Sequence, residues 1–390
     1  MKYFFAYLIS FKRGLSLITS KHKQVLFIIV IVFILLGAKL AVRVDDNGLL
    51  SNPVYSKDIL AIQIQQIFNI RNHAILSYDK QLLKNLYDTE QRNALWAYDQ
   101  QLRTMDYLKN WAEKQGIEFE KIESEILIRN ISQQEEIYSI NIINSTEYQY
   151  TYQTGEEKTK QKINSFRLGT YHNLDIKQDD NEWKIKKDWH LNPFLNSLYA
   201  NIIADETIKE KILAGQDKSD VELIAQREKA IEYADEFCGA ANLVENGLGY
   251  NPEYKNYNYY GGDCANYVSQ ILYEAGGIAK NSIWNYQNNT ATKSWVNAHA
   301  FNQYMLNSGR GSLIDSGNYK QVLASSYKLL PGDYIAYQLG RKVNHVSVVT
   351  GSDSKGYILT NSHNSDRYRA PWDLGWNKEE VKFWLVRVNY

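Results

Sequence analysis

The sequence predicts an α+β protein with a membrane-spanning N-terminal helix, and three observations carry that reading. Residues 25–38, VLFIIVIVFILLGA, are an unbroken apolar run behind a basic N-terminus. From about Ser56 to Ala112 apolar residues recur at intervals of three and four, the spacing of amphipathic helices. From Ile117 to Trp189 the pattern changes to alternation, which antiparallel strands with one polar face require. Helices followed by a run of strands is an α+β order.

The N-terminal elements come first. Residues 1–24 contain Lys2, Lys12, Arg13, Lys21 and Lys23 and no acid, whereas Asp45 and Asp46 follow the apolar run. The positive-inside rule then makes 1–24 a cytoplasmic tail and 25–43 a single transmembrane anchor, with Lys39 snorkelling and the rest of the chain outside the cell membrane. A cleaved signal peptide is the alternative. It wants small residues in an A-x-A pattern, and GAKLAVRV offers Leu40 or Lys39 there, so the anchor is favoured.

Residues 56–192 form a middle domain. Leu60, Ile64, Ile67, Phe68 and Ile75, then Leu82, Leu83 and Leu86, then Leu95, Met105 and Leu108 mark two or three helices. The alternating segments from IEFEKIESEILIRNI to EWKIKKDWHL mark the strands. No catalytic constellation stands out, and His73, His172 and His190 are scattered and read as structural or surface residues. The role of this domain is left open, recruitment of a protein partner being one option. Residues 193–226 read as a helical linker and 227–390 as the functional domain.

Bulk composition narrows the function. Charge is balanced at 44 basic and 44 acidic residues, which removes the basic excess of a nucleic-acid binder. The two cysteines, Cys238 and Cys264, are too few for a disulfide scaffold, and a single bridge between them competes with a need for free thiol at Cys264. With no C-x-x-C and no histidine pair at ligand spacing on a helix, neither a metal nor another cofactor is expected.

The chemistry is concentrated in Tyr259-Tyr260-Gly261-Gly262-Asp263-Cys264-Ala265-Asn266-Tyr267-Val268-Ser269-Gln270. Two glycines allow a sharp turn, Asp263 suits an N-cap, and Cys264 then opens a helix whose unpaired N–H groups favour thiolate and can hold an oxyanion. A small buried cysteine is the competing reading. Downstream, Leu329-Leu330-Pro331-Gly332-Asp333 turns into a strand, Asn344-His345-Val346-Ser347-Val348 opens another, and Tyr357 to His363 forms a third. Such a hairpin can set His345 beside a polar residue of the next strand, the relation between a base and the group that fixes its tautomer. Asn361 and His363, two apart, share a face.

Cysteine on a helix, then histidine on a strand, then a polar residue on the adjoining strand is the order of papain-like enzymes. Region 225–390 resembles the amidase domain family of Gram-positive bacteria, related to the CHAP amidases. DCANYVSQ resembles its Asp-Cys-x-Asn-Phe-Val-Ser-Gln signature, LLPGDYIAY its strand entry, and SHNSDR its His-Thr-x-Asp segment with Asn364 where Thr is usual. The resemblance implies a papain-like domain with Cys264 as nucleophile, His345 as base, and His363 or Asn361 as third residue. Asp263 and Asn266 act as cap and support. Tyr260, Trp284 and Trp295 are candidates to line the substrate cleft, with loop packing as their alternative. The expected activity is cysteine-dependent hydrolysis of an amide, in peptidoglycan peptides given export; a catalytically silent wall- or partner-binding module is the alternative.

Overall fold

The computed structural model describes residues 55–154, 161–199, 205–216, 222–243 and 249–390. Helix α1 (Lys57–Ser77) buries Leu60, Ile64, Ile67, Phe68 and Ile75, the stripe its spacing predicts. After α2 (Lys80–Asn85), α3 (Arg92–Gln115) stops at Gly116, whose φ of 68° is the left-handed C-terminal conformation glycine adopts without strain. Four strands follow: β1 (Ile117–Gln134), β2 (Ile137–Tyr152), β3 (Asn164–Asp179) and β4 (Glu182–His190). Two segments expected as separate strands, IYSINIINS and EYQYTYQ, run together as β2.

Short helices α4 (Glu206–Ala214) and α5 (Ala225–Glu236) lead to α6 (Cys264–Gln270), which continues without a break through a π turn to Ala275. A small hairpin, β5 (Tyr286–Gln287) and β6 (Thr290–Ala291), precedes α7 (Lys293–Val296) and α8 (Ala298–Asn307). The chain ends with β7 (Gly311–Gly317), α9 (Tyr319–Ser326), β8 (Tyr334–Leu339), β9 (Lys342–Ser352), β10 (Ile358–Ser362), β11 (Asp366–Pro371) and β12 (Lys382–Val388).

Ten of these strands make one sheet, ordered β1-β2-β3-β11-β10-β9-β8-β12-β7 with β4 also on β3. The edge of β3 opposite β2 is divided: Arg167, Leu168 and Gly169 pair with β11, while His172 to Asp179 pair with β4. Residues 57–390 accordingly form one compact unit. Gly169 is small for a reason. A Cβ there would stand 2.4 Å from the backbone N of Ala241, where a short 3₁₀ turn crosses the sheet.

Two expectations are corrected at this level. The membrane helix expected at 25–43 lies outside the described residues, and among the described residues no helix is long and apolar enough to cross a membrane. The longest, α3, carries Arg92, Asp99, Arg103, Asp106, Lys109, Glu113 and Lys114, so it is amphipathic and packs one face on protein. The fold class is mixed helices on a large antiparallel sheet, and the single-pass membrane localisation has no spanning helix to rest on among these residues. Nor are the middle-domain histidines scattered: register sets His172 opposite His190, and both are buried.

Candidate active site

Cys264 starts α6 because the two residues before Asp263 turn the chain sharply, Gly261 at φ 105° and Gly262 at φ 129°. Gly262 is also required by proximity, since a Cβ there would be 2.9 Å from Asn364 Oδ1. That oxygen accepts the backbone N–H of Cys264 at 2.8 Å and the N–H of Asp263. Asn364 (φ 62°) and Ser365 (φ 73°) hold left-handed conformations in the turn between β10 and β11, a geometry Asn tolerates better than most residues.

Cys264 and His345 come together in one cleft of about 200 Å³, lined also by Asn344, Asn364, Arg367 and Trp376. His345, on β9, is 5% exposed and packs against Trp376 (ring centroids 5.3 Å apart, 19° between planes) and Tyr337 (5.4 Å), which stack on each other at 4.7 Å. Burial pushes its pKa down to about 3, and the Arg367 guanidinium adds to the effect. Burial likewise pushes the Cys264 thiol up to about 11, against a smaller opposing effect of the Val346 backbone. The dipole at the helix start was expected to favour thiolate; removal from water outweighs it, and burial disfavours the charged form of both groups.

The upstream half of the sheet builds the other wall. Leaving β4, the chain runs Leu191-Asn192-Pro193 along the cleft. Arg367 fastens it there, donating to the carbonyls of Pro193 at 2.9 Å and Leu374 at 2.8 Å. The loop bearing Trp376 is anchored on α3. Asp373 accepts from Trp111 Nε1 (3.1 Å) and pairs with Lys114, and Tyr107 Oη donates to Asn377 Oδ1 (2.5 Å) and accepts the N–H of Gly375 (2.6 Å). These cleft residues were not anticipated from sequence, because each arrives through a contact distant along the chain.

Neither expected third residue reaches His345. His363 is buried, with Nδ1 2.6 Å from Asp263 Oδ2 and Nε2 donating to the Phe237 carbonyl at 2.6 Å. Asn361 donates to the Ala234 carbonyl and Asp235 and accepts from Thr350 Oγ1 and the N–H of Arg369. Its register partner is Val348, three residues beyond His345. Both are engaged by other partners, and His345 packs on aromatic rings instead.

Asp263 occupies the N-cap place but makes no side-chain cap. Its carboxylate is taken by the Tyr257 N–H (2.7 Å), the Asn266 amide (2.9 Å) and His363. Asn266 does support the site, its Oδ1 accepting Trp295 Nε1 at 2.9 Å. Trp295 and Trp284 are fully buried, Trp284 donating to Ser269 Oγ at 2.9 Å, so both are core residues and not cleft lining. Tyr260 is exposed and sits beside Lys255, apart from the cleft wall to which Gly261 contributes. Cys238 is buried with a thiol pushed well up, and both cysteines are free, so the single bridge is not made.

Residues 224–386 match the family described as a putative amidase domain. The uncharacterized protein YjcM of Bacillus subtilis (strain 168) is 26% identical over 225 residues, which is 55% of this chain. The match spans 46% of that protein's length, so the two share under half of the relative. Among solved structures, the intermembrane-space region of the chloroplast protein ARC6 overlaps 36% of this chain and 98% of its own, at 10% identity and a TM-score of 0.24. Kfla4162 protein from Kribbella flavida overlaps 35% and 96%, at 10% identity and 0.22. Overlaps at these scores carry no assignment of fold.

Proposed function

With residues 224–386 a member of the putative amidase domain family, we propose that the chain hydrolyses an amide by acyl transfer through Cys264 and His345. The observation that carries this reading is the shared cleft, which joins a thiol and an imidazole 81 residues apart (345 − 264). Neutral His345 takes the thiol proton as Cys264 Sγ attacks the carbonyl carbon, so no preformed ion pair is needed. The oxyanion is held by the N–H groups of Cys264 and Asp263, whose present acceptor, Asn364 Oδ1, stands in for the carbonyl oxygen of a substrate. The imidazolium of His345 then gives its proton to the leaving amine, and the C–N bond breaks. Water, deprotonated by His345, releases the acyl group and restores the thiol.

Substrates have therefore to displace the Asn364 side chain. Peptide amides are the substrate class, with peptidoglycan peptides one member to be tried. The deciding assay offers both to the full chain and to Cys264→Ala and measures released amine; no thiol-dependent release from a folded wild type would sink the enzyme reading. A catalytically silent binding module is the second reading. The high thiol pKa and the occupied N–H groups favour it, and the same assay separates the two.

A further inference from the structure

A second cluster of chemistry lies on the opposite half of the sheet. The β3–β4 register sets His172 across from His190, and Asp188, two residues earlier on β4, faces the same side as His190. His172 Nδ1 is 2.6 Å from Asp188 Oδ1, and His190 Nδ1 is 3.3 Å from the same oxygen. All three side chains are buried, with their ligand atoms within 4.8 Å of one another. Ligand atoms of a tetrahedral zinc site, at about 2.0–2.1 Å from the metal, stand about 3.3 Å apart. The Asp188–His190 separation already matches, the Asp188–His172 contact has to open, and the two histidines stand within 4.8 Å of each other.

The surroundings fit as well. His172 Nε2 lies 2.8 Å from Thr170 Oγ1, and His190 Nε2 lies 3.4 Å from the Gln101 amide, which can turn its oxygen to the ring. A proton on each far nitrogen leaves both Nδ1 lone pairs facing Asp188, the tautomer that metal-bound histidine adopts. Independently, Asp188 Oδ2, Asn144 Oδ1, Arg71 Nε and Tyr87 Oη are four of the eleven buried side-chain polar atoms without a hydrogen bond among the described residues. Such atoms are rare in folded proteins, and the one on the carboxylate itself, Asp188 Oδ2, with the Arg71 guanidinium 3.6 Å away, leaves that group able to take a ligand. Asp188 and His190 also line a groove of about 430 Å³ that carries the exposed rings of Trp96 and Trp189.

We propose that His172 Nδ1, His190 Nδ1 and Asp188 Oδ1 bind one zinc ion, with the fourth coordination position opening toward that groove. Two imidazole nitrogens and one carboxylate oxygen suit a borderline divalent ion such as zinc. Arg71, whose Nη1 is 3.6 Å from Asp188 Oδ2, defines the competing description: a metal-free ion-pair network closed by the guanidinium.

The test uses the full chain, stripped with a chelator and titrated with Zn²⁺ by calorimetry and with Co²⁺ by absorption. One equivalent of Zn²⁺ is expected, with a rise in melting temperature, and a Co²⁺ spectrum of tetrahedral nitrogen and oxygen ligands without thiolate bands. His190→Gln abolishes this binding, Thr170→Val weakens it about 10–100-fold, as loss of an outer partner does, and the double variant Cys238→Ala/Cys264→Ala leaves it intact. A wild type that melts cooperatively yet binds no Zn²⁺ overturns the proposal. So does binding that survives His190→Gln, or Co²⁺ bands from thiolate. If His190→Gln fails to fold, the wild-type Co²⁺ spectrum and the Thr170→Val titration decide. None of these readouts depends on amide hydrolysis.

Discussion

Two buried histidine centres share this sheet and are treated in opposite ways. On the β3–β4 edge, His172 and His190 converge on the carboxylate of Asp188, with Arg71 behind it. In the cleft, His345 makes no ion pair with a carboxylate among the described residues and packs on the stacked rings of Tyr337 and Trp376. Burial lowers both histidines, His172 to about 4 even though Asp188 pulls it up, and His345 to about 3 with Arg367 adding to the fall. The difference lies in what each can do next. A carboxylate beside two imidazoles makes a charge-holding, ion-type site. A lone neutral imidazole beside a thiol keeps a free lone pair and can take a proton when substrate binding develops charge nearby.

The largest effect that would break this comparison is on turnover. Cys264→Ala should cost at least about a thousand-fold in amine release, as nucleophile removal does, while leaving the β3–β4 centre unchanged by Co²⁺ absorption. Next is Asp263→Ala, which removes the partner of buried His363; about 3–5 kcal/mol of stability should be lost, read as a fall in the denaturant midpoint.

The pH dependence sharpens the contrast within the cleft. Alkylation of Cys264 by iodoacetamide should rise with a midpoint near 11, where a free thiol gives about 8.5. A midpoint below 8.5 would show an activated thiolate and contradict the effect of burial on Cys264. Stability should also rise with pH, but in a more acid window. His345 and His172 have folded pKa values below the unfolded value of about 6.5, so the unfolded chain binds more protons between them. The stability they contribute is complete above about 6.5 and is lost as pH falls through about 4 and then 3. Thermal melts across that window measure it, and His345→Gln should flatten the lower part.

Smaller effects are expected from Asn364→Gly, which keeps the left-handed turn and frees the two N–H groups. About a tenfold gain in kcat/KM is expected, the worth of roughly one hydrogen bond no longer displaced. A loss would make Asn364 a positioning residue instead of an obstruction. Smallest of all, Trp284→Phe should remove about 1 kcal/mol of stability with its bond to Ser269 and leave kcat/KM unaltered, because the ring is core.

Most strands of the fold were legible because alternation is a local property, and β1 to β4 sit where the pattern puts them. The helix start at Cys264 was legible from the glycines before it, whereas the strand expected to open at His345 begins three residues earlier, at Lys342. The expected pairing of His345 with Asn361 or His363 is not made, because shared strand parity says which face a side chain takes and not how far along the sheet it sits. Asn361 is on the next strand but opposite Val348. Trp284 and Trp295 were equally ambiguous, since a tryptophan in a loop-rich stretch looks the same whether it lines a cleft or fills a core.

The sequence by itself determined the helix-then-strand order, the glycine turn before Cys264 and the strand that bears His345, all set by conformational preferences within a few residues. Only the tertiary structure decided that β3 shares one edge between β4 and β11, and from that come the cleft wall at 191–193 and the convergence of His172 with His190. It also decided that Asn364 meets the Cys264 N–H across 100 residues of chain. Such contacts follow from sheet register and burial, which sum many weak long-range interactions that no short stretch of sequence contains.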